Sequence, residues 1–395
     1  MGSDAATDWR LAARERLRSL VLEDAGLAAA LAEAWDPADF AARLAVAAAQ
    51  SGAQASAGEI GELLRPGPRP PLLEIAPPPG WLPARVDGDG GAALIEWAFF
   101  DRRRLLEPFY EDSLGAVVFS PFNRLFGFRT RLAELPMPDA PDPAGLIFHM
   151  SRCGSTLVAQ MLAASADNVV VSEAAPIDAV VRLDAAAAGL DAGAHARLLR
   201  AMVGAVGRAR AGETRLFLKL DSWHARSLPL FRRAFRRTPW IFLIREPARV
   251  LASHRRRPGL QATGLLTADD IGVAWRGEAS HAANTAEALA SICEAAETAC
   301  GSGGGLVVNY DELPAALWTR VLPHFGVNPS AVEMEAMAAV ARRDAKEPAS
   351  PFAPDADARR AAATDAVRAA AAGRLADVYA RLEALRRPAS PAPSA

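Results

Sequence analysis

Cysteine is scarce in this chain of 395 residues: Cys153, Cys293 and Cys300 are too few and too scattered for a disulfide framework, and they lack metal-ligand spacing. Reduced thiols are the expectation. An excess of one charge is also missing, since 44 Lys and Arg face 46 Asp and Glu for a net −2. No global basic field draws the chain to nucleic acid or an anionic membrane, so any bound anion must be gripped locally. No uncharged apolar run approaches the roughly 20 residues of a bilayer span. The opening MGSDAATDWRLAARERLRSL lacks the apolar core of a secretory signal, and Ala6 stands where a myristoylation motif has Ser or Thr. The expectation is a cytoplasmic protein with neither a membrane nor a nucleic-acid partner. None of the six histidines pairs into a ligand motif, so no metal is expected.

What is present divides into three parts and a tail. Residues 1–66 read as a small all-α module, with Leu11, Leu17, Leu20, Val21, Leu27, Leu31 and Ala34 at helical spacing. Asp36-Pro37 reads as a cap with Pro at the first helical position, and Ser56 with Glu59 as a capping box. Residues 67–143 begin with a Pro-rich linker and carry a dense aromatic set: Trp97, Phe99, Phe100, Phe109, Tyr110, Phe119, Phe122, Phe126 and Phe128. A packing layer is the simpler account of that set; a lid over an acceptor pocket is the sharper one. Residues 144–388 change pattern. GLIFHM (145–150), NVVVSE (168–173), RLFLKLD (215–221), WIFLIR (240–245) and GLVVNY (305–310) are short apolar runs separated mostly by helix-length stretches. That alternation predicts an α/β fold with a doubly wound parallel sheet. In such sheets ligands bind beyond the carboxyl ends of the strands. An Ala/Arg-rich helix is expected near 356–387, with a disordered tail over 389–395.

The first run leads into Ser151-Arg152-Cys153-Gly154-Ser155-Thr156 and then a helix. A helix start leaves N–H groups unpaired and partly positive, so this turn is suited to an anion. Gly154 permits close backbone approach, Ser155 and Thr156 add hydroxyls, and Arg152 a fork of donors. The nucleotide-triphosphatase motif has Lys where Ser155 stands, and a Gly five residues before Gly154 is absent. Cys153 has no His or acid placed to activate it and reads as structural, although it belongs to the loop.

Strand, Arg-x-Gly-Ser-Thr, helix resembles the 5′-phosphosulfate loop of the P-loop sulfotransferase family, bacterial type. Arg245-Glu246-Pro247, with Ser253 eight residues after Arg245, resembles that family's 3′-phosphate motif; Glu246 and Arg249 depart from its usual Asp or Asn and its usual acid. VVNYDELPAALWTRVLPHFGV resembles its Tyr-Glu-Asp-Leu segment, which implies Tyr310 near the adenine. DAKEPASPFAPD resembles a late Lys-bearing loop, which implies Lys346 at the 3′-phosphate. Leu157 replaces the Trp that stacks on adenine in the cytosolic members. The resemblance spans roughly residues 144–390 and implies 3′-phosphoadenosine-5′-phosphosulfate as co-substrate and a small-molecule or peptide acceptor.

It also implies a base after the third strand. Asp221 holds the matching position, ranked ahead of His224, while Lys219 either neutralises the sulfate or caps the strand. A small-molecule kinase and a catalytically inactive nucleotide- or peptide-binding protein remain as alternatives. Finally, VLEDAGLAAALAEAWDPADFAARLAVAAAQSGAQASAGEIGELL resembles the nitrogen-fixation-associated leader-peptide-like domain, which implies peptide docking.

Overall fold

The computed structural model describes residues 2–65, 69–88, 92–137, 141–277, 279–343 and 364–387. The chain opens with helices α1 (Gly2–Glu23), α2 (Ala25–Ala32), α3 (Pro37–Gln50) and α4 (Ala57–Leu63). Their boundaries follow local chemistry. The Asp36 carboxylate accepts from the Ala38 and Asp39 amides at 3.0 and 2.8 Å, and Ser56 and Glu59 form the reciprocal capping box. Leu17, Val21, Leu31, Phe40 and Leu44 are buried.

A three-stranded antiparallel sheet follows, ordered β1 (Trp81–Asp87), β2 (Leu94–Phe99), β3 (Phe128–Arg131). Helices α5 (Tyr110–Gly115) and α6 (Pro121–Phe126) lie between β2 and β3. Aromatic rings fill its interior, with Trp81 4.8 Å from Phe128, Phe99 4.8 Å from Phe122 and Phe122 5.1 Å from Phe126. Phe40 of α3 meets Phe126 at 6.2 Å, and Arg18 of α1 donates to the Leu125 carbonyl, so helices and sheet share one core. Burial lowers the Arg18 pKa to about 10. Phe119 departs from the expected cluster: it is 75% exposed.

The main body runs β4 (Gly145–His149), α7 (Ser155–Ala163), β5 (Asn168–Ser172), α8 (Ala175–Val181), α9 (Ala192–Val206), β6 (Arg215–Lys219), α10 (Leu228–Ala234), β7 (Trp240–Ile244), α11 (Pro247–Arg256), α12 (Ala268–Ile271), α13 (His281–Gly301) and β8 (Gly305–Asn309). The five strands are parallel, ordered β5-β6-β4-β7-β8. Alternate residues of β4 point to opposite faces and every one is buried. Phe148 packs edge-on to Phe231 of α10, while Gly145 lies against Phe325 with no room for a Cβ. Both faces are therefore covered, as a doubly wound sheet requires. Because β4 sits between β6 and β7, the loops after these three strands are neighbours at one edge.

The C-terminal helix differs from the expected single element. Among the described residues it is two helices, Asp365–Ala371 and Arg374–Arg386, separated at Gly373, whose φ of 78° a continuous helix excludes, and 356–363 lie outside the described residues. The tail expected over 389–395 lies outside the described residues. No helix among the described residues is long and apolar enough to cross a membrane.

Candidate functional site

The loop between β4 and α7 has an unusual backbone. Ser151, Arg152 and Gly154 all have left-handed φ values of 77°, 52° and 88°. Two of these are side-chain-bearing residues, so the surroundings must hold them there. A Cβ on Gly154 would lie 2.7 Å from Leu313 and 2.9 Å from Tyr310, so the loop needs glycine for space as well as torsion. Ser155 and Thr156 open α7, both largely buried. Cys153 turns inward: its thiol contacts the Leu243 carbonyl at 3.1 Å, and burial pushes its pKa up to about 12. Its side chain is packing, and only its backbone faces the loop.

β7 delivers Arg245 to the same place. Its amide donates to Met150 Sδ, its Nη1 lies 3.4 Å from the Arg152 carbonyl, and its guanidinium stacks 3.9 Å from the Tyr310 ring. The Arg245 side chain is buried. Glu246 caps α11 by accepting from the Ala248 and Arg249 amides at 3.0 Å each. Arg249 reaches Asp311 at 2.9 Å. Arg152 donates to the Arg257 carbonyl at 2.6 Å, just past the end of α11. Ser253 is half-buried on that helix, two turns after Arg245. The structure thus gathers Arg152, Cys153, Gly154, Ser155, Thr156, Arg245 and Tyr310 around one turn. Lys346 lies outside the described residues.

A second group stands beyond β5 and β6. Lys219 is buried, paired with Glu173, and 4.7 Å from the Phe109 ring centroid. Glu173 follows β5 with φ 51°. Burial alone would raise its pKa, but the Lys219 charge and His149 outweigh that and hold it well below the usual carboxylate range. Asp221 is buried, and desolvation, with the nearby Glu173 and Asp178 charges, pushes its pKa up to about 7 against the opposing pull of His224. His224 is also buried. Its Nε2 lies 2.9 Å from Asp178 and 3.9 Å from Asp221, and its ring packs on Trp223 and Phe231. Trp223 Nε1 donates to the same Asp178 carboxylate at 2.8 Å.

Asp178, Asp221 and His224 each place one potential metal-ligand atom within 4.8 Å of the others. Asp178 Oδ1 already accepts from Trp223 Nε1 and lies 2.9 Å from His224 Nε2.

Glu173, Asp178 and His149 were not singled out as site residues from sequence. A signal existed for the first, because Glu173 is the last residue of the NVVVSE run, at the edge where ligands bind. Asp178 lies within α8 and carries no motif. The aromatic segment joins the site through Phe109, and Gln160 of α7 donates to the Glu107 carbonyl at 3.1 Å. From the other side, Arg182, just after α8, pairs with Asp270 of α12 at 2.7 Å.

Fold and site define an α/β protein with a glycine-bearing strand–loop–helix turn at the carboxyl edge of a parallel sheet. No protein-family profile matches the chain, and neither does any curated protein. Among solved structures it is similar to a sulfotransferase domain from the curacin biosynthetic pathway, at 14% identity and a TM-score of 0.38, covering 59% of this chain and 97% of that one. It is similar to the sulfotransferase domain of the Synechococcus PCC 7002 olefin synthase at 16% identity and a TM-score of 0.37, covering 65% and 99%. A sulfotransferase from Mycobacterium avium matches at 12% identity and a TM-score of 0.40, covering 61% and 76%.

Proposed function

We propose that this protein is a sulfotransferase, moving a sulfuryl group from 3′-phosphoadenosine-5′-phosphosulfate to a hydroxyl or amine of a small-molecule or peptide acceptor. One observation carries the reading: a left-handed, glycine-bearing loop at the start of α7 shares its space with Arg152 and the buried Arg245. Loop amides and guanidinium groups together suit a ligand carrying two separate anionic groups.

In this reading the loop amides, Ser155, Thr156 and Arg152 hold the 5′-phosphosulfate. Arg245 and Ser253 take the 3′-phosphate, joined by Lys346, and Tyr310 borders the nucleotide. The acceptor O–H or N–H gives its proton to Asp221 as the new bond to sulfur forms. The bond from sulfur to the 5′-phosphate oxygen breaks, and adenosine 3′,5′-bisphosphate leaves. Charge stabilisation at the leaving phosphate supplies most of the rate, as in phosphoryl transfer. Asp221 suits the base because burial and the neighbouring acids raise its pKa toward working pH. His224 supports it from a buried position, bonded to Asp178. Lys219 keeps positive charge behind the reacting centre, balanced by Glu173. Incubation with the ³⁵S-labelled donor and fractionated acceptors tests the reaction. Transfer that disappears in Arg245→Ala supports it; binding of the bisphosphate with no transfer to any fraction favours the inactive binding protein.

A further inference from the structure

His149, the last residue of β4, is buried, and its ring lies between the loop and the acidic group. Nδ1 accepts the Ser151 N–H at 3.0 Å. A nitrogen that accepts carries no proton, so the neutral ring must be protonated at Nε2. Nε2 lies 3.3 Å from Glu173 Oε1, within ion-pair range though poorly aligned for a hydrogen bond. Burial lowers the His149 pKa, and Lys219 adds to that, while Glu173 and the Leu220 backbone oppose it. Burial thus favours the neutral ring, and Glu173 and Lys219 are the charged groups facing it.

We propose that His149 is a positioning residue for the loop: by accepting the Ser151 amide it holds Ser151 and Arg152 left-handed, so that the following amides face the donor. This rests on the reading of the loop as an anion site. The strain in those two residues needs a local restraint, and the buried imidazole supplies one. The same ring reaches Glu173, which pairs with Lys219, so loop geometry is tied to the acceptor side as well.

Three variants separate the two ring nitrogens. In His149→Asn the new side-chain carbonyl can replace the Nδ1 acceptor. In His149→Gln the longer side chain carries its amide to the place of the Nε2 donor instead, and His149→Leu replaces neither. Calorimetric titration with adenosine 3′,5′-bisphosphate should find His149→Asn within about threefold of wild type, and the other two weakened by about tenfold or more. Equal affinity in all three would overturn the inference while leaving the site intact. No affinity in the wild-type protein would overturn the site and the inference together. Should the variants fail to fold, ¹⁵N-histidine spectra of the wild-type protein decide. The His149 ring should be protonated at Nε2, with its Nδ1 coupled through the hydrogen bond to the Ser151 amide, and a His149 ring protonated at Nδ1 contradicts the inference.

Discussion

The two halves of the site are built in opposite ways. Around the β4 loop the chain brings cationic and backbone donors together by short-range means: one strand end, one turn and one helix start, joined by a single arginine from the adjacent strand. Beyond β5 and β6 it assembles acids and their partners from separated elements: Glu173, Asp178 of α8, Asp221 and His224 after β6, and Phe109 from the segment before α5. The first half is a cluster of donors suited to an outside anion. The second is a largely self-satisfied network within which Asp221 is driven toward neutrality. In the proposed reaction donor binding and proton transfer fall to different halves, so substitutions in the two should fail differently.

The largest separation is expected from Asp221→Asn. Turnover should fall by about 10²–10⁴-fold, the range for losing a general base, with bisphosphate affinity unchanged. Wild-type activity should rise with pH through about 7 as Asp221 ionises. Stability runs the other way. The folded pKa lies above the unfolded value of about 3.9, so the folded state binds more protons between these limits and loses stability as pH rises through them. Asp221→Asn should therefore melt higher than wild type at pH 8, with the advantage vanishing toward pH 4. A flat activity profile across pH 6–8 would move the base role elsewhere.

Arg245→Ala should produce the converse, weakening bisphosphate binding by about 100-fold, as expected for a charged hydrogen-bonding group. Calorimetry checks this. If both variants lost affinity equally, the division between the halves would collapse.

The difference in construction also explains what the sequence made readable. The five strand runs, the Asp36 and Ser56 caps, and the loop from Arg152 to Thr156 are local patterns in contiguous residues, and each forms the expected element. Arg245 was legible because Pro247 and Ser253 follow it at fixed spacing. The acidic half has no such spacing. Asp178 is one acid among helix residues, and only the fold turns it toward Trp223 and His224. His149 stands in the apolar GLIFHM run with no motif, and only the fold shows the Ser151 amide bonded to it. The role of the aromatic segment was open between layer and lid. Trp81, Phe99, Phe122 and Phe128 form the layer, while Phe109 leaves it to lie on Lys219.

Two smaller effects sharpen the comparison. Glu173→Gln leaves the Lys219 ammonium buried with a neutral acceptor, and should cost about 2 kcal/mol in denaturant unfolding. No loss would mean that the pair is not maintained in solution. Phe109→Ala removes the ring facing Lys219 and should change the acceptor KM several-fold, in keeping with a contact worth about 1 kcal/mol, with donor affinity unaltered. An effect on donor affinity instead would place Phe109 with the first half.

In the proposed function the β4 loop and Arg245 together hold a nucleotide with phosphates at both the 5′ and 3′ positions. Thermal-shift titration of the full chain with adenosine 3′,5′-bisphosphate against Mg-ADP tests it directly. The bisphosphate should give saturable stabilisation, abolished in Arg245→Ala, with little response to Mg-ADP; a preference for Mg-ADP would contradict this and favour a kinase.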